Sequence, residues 1–317
     1  MTVGSLFSGI GGIDVAFEQA GFHVKWAIEK DIACCKTYRN NFDYTELLEC
    51  DISAVDPRSL PKVDIIAAGF PCQSFSVAGR QRGFSDPRGD TFFEIKRFIS
   101  WNEPRFVFLE NVPNLMEHDN GKTFNVIHNV LIELGYVIRY RVLRASEFGG
   151  VPQIRDRIYI VAFREQEECD RFQFPEPIEL KITIEDILKR GIKKHKIYYY
   201  KSDDPFYQTA KEIVKCKKSI YRVYHDSIKI TQNCMCPTLT ASMGTRDNQV
   251  PLLLDDYGIR KLTIQECLDF QGFPEVFRFP HTISVNDAYK QIGNSVCVPV
   301  IRRIAEQIQS ASYRQRE

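Results

Sequence analysis

The sequence predicts an α/β fold with a doubly wound, mostly parallel sheet and a second, smaller domain late in the chain. Two observations support this prediction. Over residues 1–165, short runs rich in Val, Ile and Phe alternate with amphipathic stretches, an order typical of a parallel sheet covered by helices on both faces. After about residue 175 the alternation weakens, and the sequence becomes basic and rich in tyrosine.

Seven strands are predicted from their content of β-branched and aromatic residues. In chain order they are VGSLF, HVKWAIE, ELLECDI, VDIIAAGF, RFVFLENV, VIRYRVLRA and RIYIVAF. Helices are predicted between several of them, in IDVAFEQAG, IACCKTYRNNF, TFFEIKRFISWN and TFNVIHNVLIELG. Gly21 and Gly135 follow two of these helices, at the position where glycine commonly ends a helix.

We divide the chain into an α/β domain at 1–175, a small domain at 176–257 and a C-terminal segment at 258–317. We expect the C-terminal segment to pack back onto the first domain, because its last helix has one apolar face. That face consists of Val300, Ile301, Ile304, Ala305 and Ile308.

Positive charge is concentrated in one part of the chain. The whole sequence has a formal net charge of +1, yet residues 181–229 contain 13 Lys and Arg against 6 Asp and Glu. A solvated face and a surface for a polyanion both explain such a run. Tyrosines interleaved with the basic residues, as in IYYYK and SIYRVYH, favour nucleic acid.

The ten cysteines are irregularly spaced, so we expect reduced thiols, with no disulfide framework and no metal site. The sequence has no apolar run long enough for a membrane span and no signal-peptide pattern at its N-terminus. We therefore expect a cytoplasmic protein without a membrane partner.

Three predicted strand ends carry groups that suit a nucleoside. After the first strand, the glycines of LFSGIGGIDVAF allow a ligand to approach the backbone at a helix N-terminus. Asp14 replaces the third glycine of the dinucleotide fingerprint, which disfavours a diphosphate and hence a nicotinamide-dependent oxidoreductase. Glu29 and Asp51 end the next two strands, where they could bind ribose hydroxyls or flank a base, or could simply increase solubility.

A single cysteine follows the fourth strand, in GFPCQSFSVAG. The thiolate of Cys72 would be a strong nucleophile, and nearby positive charge would raise the thiolate fraction. Arg80 and Arg82 lie in the glycine-rich loop that follows, and the length of this loop predicts a lid over a substrate. A buried structural cysteine is the competing interpretation.

Two further features lie near predicted strand ends. Glu110 ends the fifth strand in VFLENV, where a partly desolvated carboxyl group can hold or donate a proton near neutral pH. Gln153, Arg155 and Arg157 fall on one side of the extended run QIRDR. Two aligned guanidinium groups can bind a carboxylate, a phosphate or a carbonyl.

Taken in order, these motifs resemble those of the DNA (cytosine-5)-methyltransferases, in particular the short bacterial enzymes of restriction-modification systems. The matching elements are FSGIGG, Glu29, Asp51-Ile52, GFPCQSFS, RGDTFF, ENV, QIRDR, RKLTIQECLDFQGFP and AYKQIGNSV. The resemblance implies the Rossmann-like fold of the S-adenosylmethionine-dependent methyltransferases. It makes residues 1–175 the catalytic and cofactor-binding domain.

The resemblance also implies a mechanism. Cytosine is flipped out of the duplex, the Cys72 thiolate adds to C6, and C5 accepts the methyl group of S-adenosylmethionine, which leaves S-adenosylhomocysteine. Glu110 is implied to bind or protonate N3. Arg157 is implied to bind the O2 carbonyl, and Arg155 to orient neighbouring groups.

Cofactor contacts are implied for the glycine loop, for the two acidic strand ends and for one residue near the C-terminus. These residues are Phe7, Gly9, Gly11, Glu29, Asp51, Ile52 and Asn294. Lys30 departs from the family pattern, because relatives often have an aromatic residue at this position.

Double-stranded DNA is the implied substrate, and residues 176–257 are implied to form its target-recognition domain. The residues implied to contact DNA are Gln73, Arg80, Arg82, Gln153, Thr238 and Leu239. Lysines would bind phosphates, and a few side chains would read the bases of a short site. We expect a monomer at the bacterial nucleoid and a cognate restriction endonuclease that acts separately.

Two alternatives share parts of this pattern. A tRNA cytosine-5 methyltransferase has the same fold and cysteine chemistry, but the Cys-Phe-Thr element of those enzymes is absent from this sequence. A non-catalytic DNA-binding regulator is expected to lack Cys72, Glu110 or the arginines, and all of them are present.

Overall fold

The structure is a computed structural model that describes residues 1–70, 91–224, 227–246 and 248–312. The chain forms two compact units. The first contains Met1–Leu143, Asp156–Glu176 and Ile301–Glu317, and the second contains Arg144–Arg155 and Pro177–Val300.

The first unit is built on a seven-stranded sheet with the strand order β3-β2-β1-β4-β5-β7-β6. Its strands are β1 Thr2–Leu6, β2 His23–Glu29, β3 Glu46–Glu49, β4 Ile65–Gly69, β5 Phe106–Asn111, β6 Val137–Arg144 and β7 Asp156–Phe163. Its helices are α1 Gly12–Gln19, α2 Ile32–Arg39, α3 Thr91–Asn102, α4 Lys122–Glu133 and α5 Gln166–Arg171. The neighbouring pairs from β3 to β5 are parallel, and β7 runs antiparallel to β5. The predicted α/β fold with a mostly parallel sheet is confirmed.

Central strands of this sheet are buried on both faces, as continuous apolar runs predict. Ile65, Ile66, Ala67 and Ala68 of β4 have no exposed surface. Gly21 and Gly135 both have a φ of 85° just after the ends of α1 and α4. The two predicted helix stops are therefore confirmed.

The strand order reverses between β1 and β4. β1 pairs with β2 on one side and with β4 on the other, so the connections that leave β1 and β4 move apart across the sheet. In such sheets a crevice opens between the two carboxyl ends and commonly holds a ligand. The glycine loop after β1 and the segment after β4 begin at this point.

The third strand is shorter than the sequence suggested. It ends at Glu49, and Asp51 instead caps a short 3-10 turn over Ile52–Ala54 by accepting a hydrogen bond from the Ser53 N–H. An aspartate commonly occupies such a cap because its carboxylate satisfies backbone N–H groups that the helix leaves unpaired. Asp51 is therefore held just beyond the strand.

Helix α1 buries a carboxyl group beneath the glycine loop. Asp14 has no exposed surface, and burial raises its pKa from 3.8 to about 7. The hydroxyl groups of Ser5 and Tyr38 lower the pKa, but their effect is smaller than that of burial. The folded chain thus retains a proton on Asp14 at pH values where the unfolded chain has released it.

We expect an Asp14→Asn variant to lose part of the pH dependence of stability. Between about pH 4 and pH 7 the folded state holds one more proton than the unfolded state, so the free energy of unfolding falls as pH rises. The slope from this group is at most about 1.4 kcal/mol per pH unit. Above pH 7 the variant should be more stable than the wild type. Urea unfolding from pH 5 to pH 8.5 measures this difference.

Asp43→Asn is the matched control, because Asp43 is exposed. A difference between Asp14→Asn and the wild type that stays constant over this pH range would contradict a proton on Asp14.

The second unit contains a four-stranded sheet in the order β11-β10-β8-β9. Its strands are β8 Tyr221–Tyr224, β9 Ser227–Ile230, β10 Leu252–Asp255 and β11 Gly258–Lys261, and its helices are α6 Ile184–Leu188, α7 Pro205–Ile213, α8 Ser242–Thr245, α9 Ile264–Gln271 and α10 Val285–Asn294. Ala210 of α7 and Val214 pack against Tyr221, Val223 and Ile228 on one face of this sheet. A last helix, α11, spans Val298–Ser312.

A fully buried arginine ties together several parts of the second unit. Arg260 donates to Asp255 at 2.7 Å and to both carboxylate oxygens of Glu266 at 2.7 and 2.8 Å. Tyr199 donates its hydroxyl to the same Asp255. Removal of either carboxylate would leave a buried charge unpaired and would strongly destabilise the fold. The network therefore holds the β10–β11 hairpin to the start of α9.

The division into units differs from the predicted domains at two places. Residues 144–155 and 258–300 group with the second unit rather than with the first. The physical reason for the second difference is close packing. A Cβ on Gly244 of α8 would lie 2.0 Å from the Asn286 carbonyl oxygen of α10, so α8 and α10 approach backbone to backbone. Near residue 175, the first unit extends to Glu176 and the second unit resumes at Pro177.

Within the described residues, no helix is long and apolar enough to cross a bilayer. In the same part of the chain, no three His, Cys, Asp or Glu side chains are grouped to hold a metal ion. The nine cysteines that the structure describes are free thiols.

Candidate active site

The glycine loop after β1 has a left-handed backbone at three alternate positions. Phe7, Gly9 and Gly11 have φ values of 54°, 57° and 84°. At Gly11 a Cβ would lie 2.2 Å from the Phe42 ring, whereas at Gly9 a Cβ would meet nothing within 4 Å. The loop is therefore packed against the protein at Gly11 and borders open space at Gly9, which leaves room for a ligand to approach the backbone.

Glu29 at the end of β2 holds this loop in place. One carboxylate oxygen accepts the Gly9 N–H at 2.8 Å, and the other accepts the N–H groups of Lys30 and Asp31, both at 2.8 Å. A carboxylate has about four acceptor positions. One position therefore remains for a hydroxyl group of a ligand.

Asp51 lies beyond the neighbouring strand β3. Hydrogen bonds from the backbone and hydroxyl of Ser53, followed by one from Lys30, lower its pKa to about 2. The Lys30 Nζ atom lies 3.0 Å from the Asp51 carboxylate. Ile52, the next residue, is 6% exposed and belongs to the core of the unit. A charged acceptor and an apolar side chain thus stand side by side.

Two of the predicted catalytic side chains meet across neighbouring strands. The Arg157 Nε atom of β7 lies 3.0 Å from a carboxylate oxygen of Glu110 on β5, and the two side chains are 13% and 10% exposed. The antiparallel register places Glu110 opposite Tyr159 and Asn111 opposite Ile158, so Arg157 lies beside the end of β5. This pair presents a carboxylate and a guanidinium group together, which suits a ring with adjacent nitrogen and carbonyl groups.

Asn111, next to Glu110, makes a contact that the sequence did not predict. Its side-chain amide donates to the Phe70 carbonyl at 2.8 Å, and it is 3% exposed. Because alternate residues of a strand point to opposite faces, Glu110 and Asn111 act on different sides of β5. The asparagine fixes the backbone from which Pro71 and Cys72 continue. The motif ENV drew attention to this position, but nothing in the sequence identified its partner.

The predicted nucleophile Cys72 lies outside the described residues, and so do Gln73, Arg80 and Arg82. Of the predicted site, the first unit therefore shows the glycine loop with its acidic strand ends and the pair of Glu110 and Arg157.

In the second unit, Arg155 fixes the Thr-Leu segment. Arg155 is 2% exposed, and its guanidinium group donates to the Leu239 carbonyl at 2.8 Å and to the carbonyl of Ser295. The Thr238 hydroxyl donates to the Ile154 carbonyl at 2.6 Å. These contacts hold together three segments that are distant in sequence.

Two residues predicted to contact DNA are buried in this unit. Gln153 is fully buried and donates its amide to the Phe270 carbonyl at 2.8 Å, and Leu239 also has no exposed surface. Because both side chains are buried, we expect them to hold the protein backbone in place rather than to contact DNA directly. Asn294 ends α10 and is exposed. Beside it, a Cβ on Gly293 would lie 2.1 Å from the carbonyl carbon of Thr240.

Comparison with known proteins identifies the family to which these residues belong. The family model for C-5 cytosine-specific DNA methylases matches residues 1–310. The type II methyltransferase M.Bsp6I of Bacillus sp. (strain RFL6) is 46% identical over 311 residues, which cover 97% of this chain and 98% of that protein. The type II methyltransferase M.HhaI of Haemophilus parahaemolyticus is 36% identical over 313 residues, which cover 96% and 93%.

Solved structures share the fold at low sequence identity. The S. pombe Dnmt2 methyltransferase superposes with a TM-score of 0.76 at 22% identity, over 99% of this chain and 100% of that one. The Entamoeba histolytica methyltransferase EhMeth gives a TM-score of 0.75 at 20% identity, over 99% of both chains.

Proposed function

The chain belongs to the C-5 cytosine-specific DNA methylases, and from this premise we propose that it methylates C5 of a flipped-out cytosine within one short duplex sequence. S-adenosylmethionine is the methyl donor. Since its relatives at 46% and 36% identity are type II methyltransferases, the proposed biological role is protection of host DNA in a restriction-modification system. A separate endonuclease would then cut unmethylated copies of the same sequence.

The observation that carries this proposal is the contact between Glu110 and Arg157 at the end of β5, with 3.0 Å between Nε and the carboxylate. Cytosine has a ring nitrogen, N3, next to a carbonyl group, O2. Glu110 would hold a proton at N3, and Arg157 would donate to O2. Both contacts withdraw electron density from the ring, which favours addition of a nucleophile at C6.

Cys72 is the proposed nucleophile, and this assignment comes from the resemblance in sequence. Its thiolate forms a bond to C6, which makes C5 electron-rich enough to bond to the methyl group. Once C5 carries the methyl group, a base removes the C5 proton. The electron pair left behind restores the C5–C6 double bond and expels the Cys72 thiolate. Asn111, which donates to the Phe70 carbonyl, would position the start of the segment that carries Cys72.

The glycine loop and the next two strand ends fit S-adenosylmethionine. Open space at Gly9 admits a ligand at the backbone, and Glu29 keeps an acceptor position for a ribose hydroxyl. Asp51 and Ile52 would bind the adenine by a hydrogen bond and an apolar contact, and Phe7 and Gly11 would shape the methionine end. When bound, the cofactor supplies an electrophilic methyl group. Asn294 is assigned to the cofactor residues by the resemblance in sequence.

Residues 176–257 are the proposed target-recognition segment, and a monomer suffices because one flipped base needs one site. Thr238, whose hydroxyl donates to the Ile154 carbonyl, would support the DNA backbone. The buried Leu239, whose carbonyl accepts from Arg155, would hold Thr238 in place. Arg80, Arg82 and Gln73 are proposed to contact DNA from the loop after Cys72.

Bisulfite sequencing of plasmid DNA tests the proposal. DNA from cells that express the protein should contain one short sequence in which the same cytosine resists conversion at every copy. DNA from cells with the empty plasmid is the control. Full conversion of every cytosine in the presence of folded protein would contradict the proposed activity.

A further inference from the structure

The strands β8 and β9 form a ribbon with one buried face and one charged face. Tyr221, Val223 and Ile228 are 3%, 4% and 7% exposed and belong to the core with α7. The alternate residues Arg222 and Lys229 are exposed. Since residues two apart in a strand point to the same side, the charged side chains project from the face that α7 does not cover.

Two positive charges lie directly opposite each other on this face. The antiparallel register pairs Arg222 with Lys229. Like charges at such a cross-strand position destabilise a sheet, because their Cβ atoms are only about 5 Å apart. Neither side chain forms an ion pair with a carboxylate of the residues that the structure describes. Among the residues that the structure describes, no carboxylate offsets this repulsion, and a bound polyanion would relieve it.

A structural explanation accounts for one of these charges only. Lysine on an edge strand prevents sheets from joining edge to edge, and β9 is the edge strand of this sheet. Lys229 could serve that purpose. Arg222 could not, because it lies on β8, between β9 and β10.

Arg222 also packs against an aromatic ring. Its guanidinium carbon lies 5.4 Å from the centre of the Tyr224 ring, and Tyr224 is 56% exposed. Stacking on an aromatic ring restricts an arginine while it leaves the donor edge free. A guanidinium group prepared in this way can form two parallel hydrogen bonds to O6 and N7 of guanine.

We propose that the charged face of the β8–β9 ribbon enters the major groove of the target duplex, where Arg222 binds the O6 and N7 edge of a guanine and Lys229 binds a phosphate. This assignment rests on the proposed function. The major groove of B-DNA is wide enough for a two-stranded ribbon, whereas that of an RNA duplex is too narrow for side chains to read. The ribbon therefore fits the major groove of a DNA duplex and not that of an RNA duplex.

The test compares single variants on a duplex that contains the mapped methylation site. Arg222→Ala should raise the KM for this duplex roughly 5- to 150-fold and reduce discrimination at one base pair. Lys229→Ala should weaken binding to target and unrelated duplexes alike, and it should lower the slope of log K against log salt concentration by about 1. Thermal unfolding and the affinity for S-adenosylmethionine should stay unchanged.

Lys211→Ala is the matched control, because Lys211 is an exposed lysine on α7, on the opposite side of this sheet. It should leave the discrimination between bases unchanged. An Arg222→Ala variant that matches Lys211→Ala in KM and in base discrimination would overturn the proposal.

A modified duplex tests the contact to guanine without relying on the folding of a variant. Replacement of one target guanine by 7-deazaguanine removes N7, so the wild type should lose affinity at one position. Arg222→Ala should not respond to the same change. If both proteins respond equally at every guanine, Arg222 does not read that edge. A wild type that methylates no plasmid site would instead refute the proposed function itself.

Discussion

A Cys72→Ser variant is expected to lose methyl transfer while it keeps its fold and its affinity for S-adenosylmethionine. A cysteine thiol with a pKa near 8.5 supplies a few per cent of a strongly nucleophilic thiolate at pH 7, whereas a serine hydroxyl supplies almost no alkoxide. The turnover number should fall at least roughly 1,000-fold. Transfer of radiolabelled methyl groups to a duplex with the mapped target measures this loss.

Cys216→Ser is an informative control for that experiment. Cys216 is exposed, and a hydrogen bond from Ser219 is the main reason that its pKa lies below the usual value. By contrast, burial raises the pKa of Cys35, Cys236 and Cys267. If ease of ionisation alone determined the nucleophile, Cys216 would be the better choice among the described thiols. Near-normal turnover in Cys72→Ser, or its loss in Cys216→Ser, would contradict the assignment of Cys72.

The second large effect is expected for Glu110→Gln. Glutamine keeps the size of the side chain but cannot deliver or hold a proton at N3, and it leaves the Arg157 guanidinium without the carboxylate that lies 3.0 Å away. Loss of a general acid or base typically lowers the rate about 100- to 10,000-fold. Single-turnover methylation with saturating DNA and cofactor should show this decrease in the chemical step.

Glu306→Gln provides the comparison for Glu110→Gln. Glu306 forms an exposed pair with Arg302 on α11, with 3.4 Å between the charged groups, and exposed pairs contribute little to stability. This variant should methylate at the wild-type rate. A Glu110→Gln variant with wild-type single-turnover kinetics would show that Glu110 does not act on the base.

Much of the first unit could be predicted because its signals are local. The seven strands coincide with the short runs from which they were predicted, most of them rich in β-branched and aromatic residues, and Gly21 and Gly135 end their helices through their own φ values of 85°. The antiparallel direction of β7 relative to β5 was not predicted, since strand composition does not encode direction. The early end of β3 was missed as well, because Asp51 can extend a strand or cap a turn.

The organisation of the second unit could not be derived in this way. Its elements are held by contacts between distant segments, such as the bonds from Arg155 to the Leu239 and Ser295 carbonyls. Glycine at 244 and at 293 permits backbones to touch, yet neither position has a periodic signal that names its partner. The burial of Gln153 has the same origin, because its acceptor is the Phe270 carbonyl.

The sequence predicted which residues belong to the candidate site better than it predicted the contacts between them. Glu110 and Arg157 stood out because a charged residue at the end of an apolar strand is conspicuous, but their direct pairing depends on the register of β5 and β7. Asn111 needed the structure, because its role is to bind a backbone carbonyl at Phe70. Every residue has a backbone carbonyl, so the sequence does not indicate which residue such a side chain will bind.

The most direct measurement uses a duplex with 5-fluorocytosine at the methylated position of the mapped target. Fluorine at C5 cannot leave as a proton does, so release of the enzyme is blocked after the sulfur has bonded to C6. With S-adenosylmethionine present, we expect a protein–DNA complex that survives denaturation, with the nucleotide attached to the peptide that contains Cys72. Methylation of ordinary target DNA without any such complex, or with the adduct on another residue, would contradict covalent catalysis by Cys72.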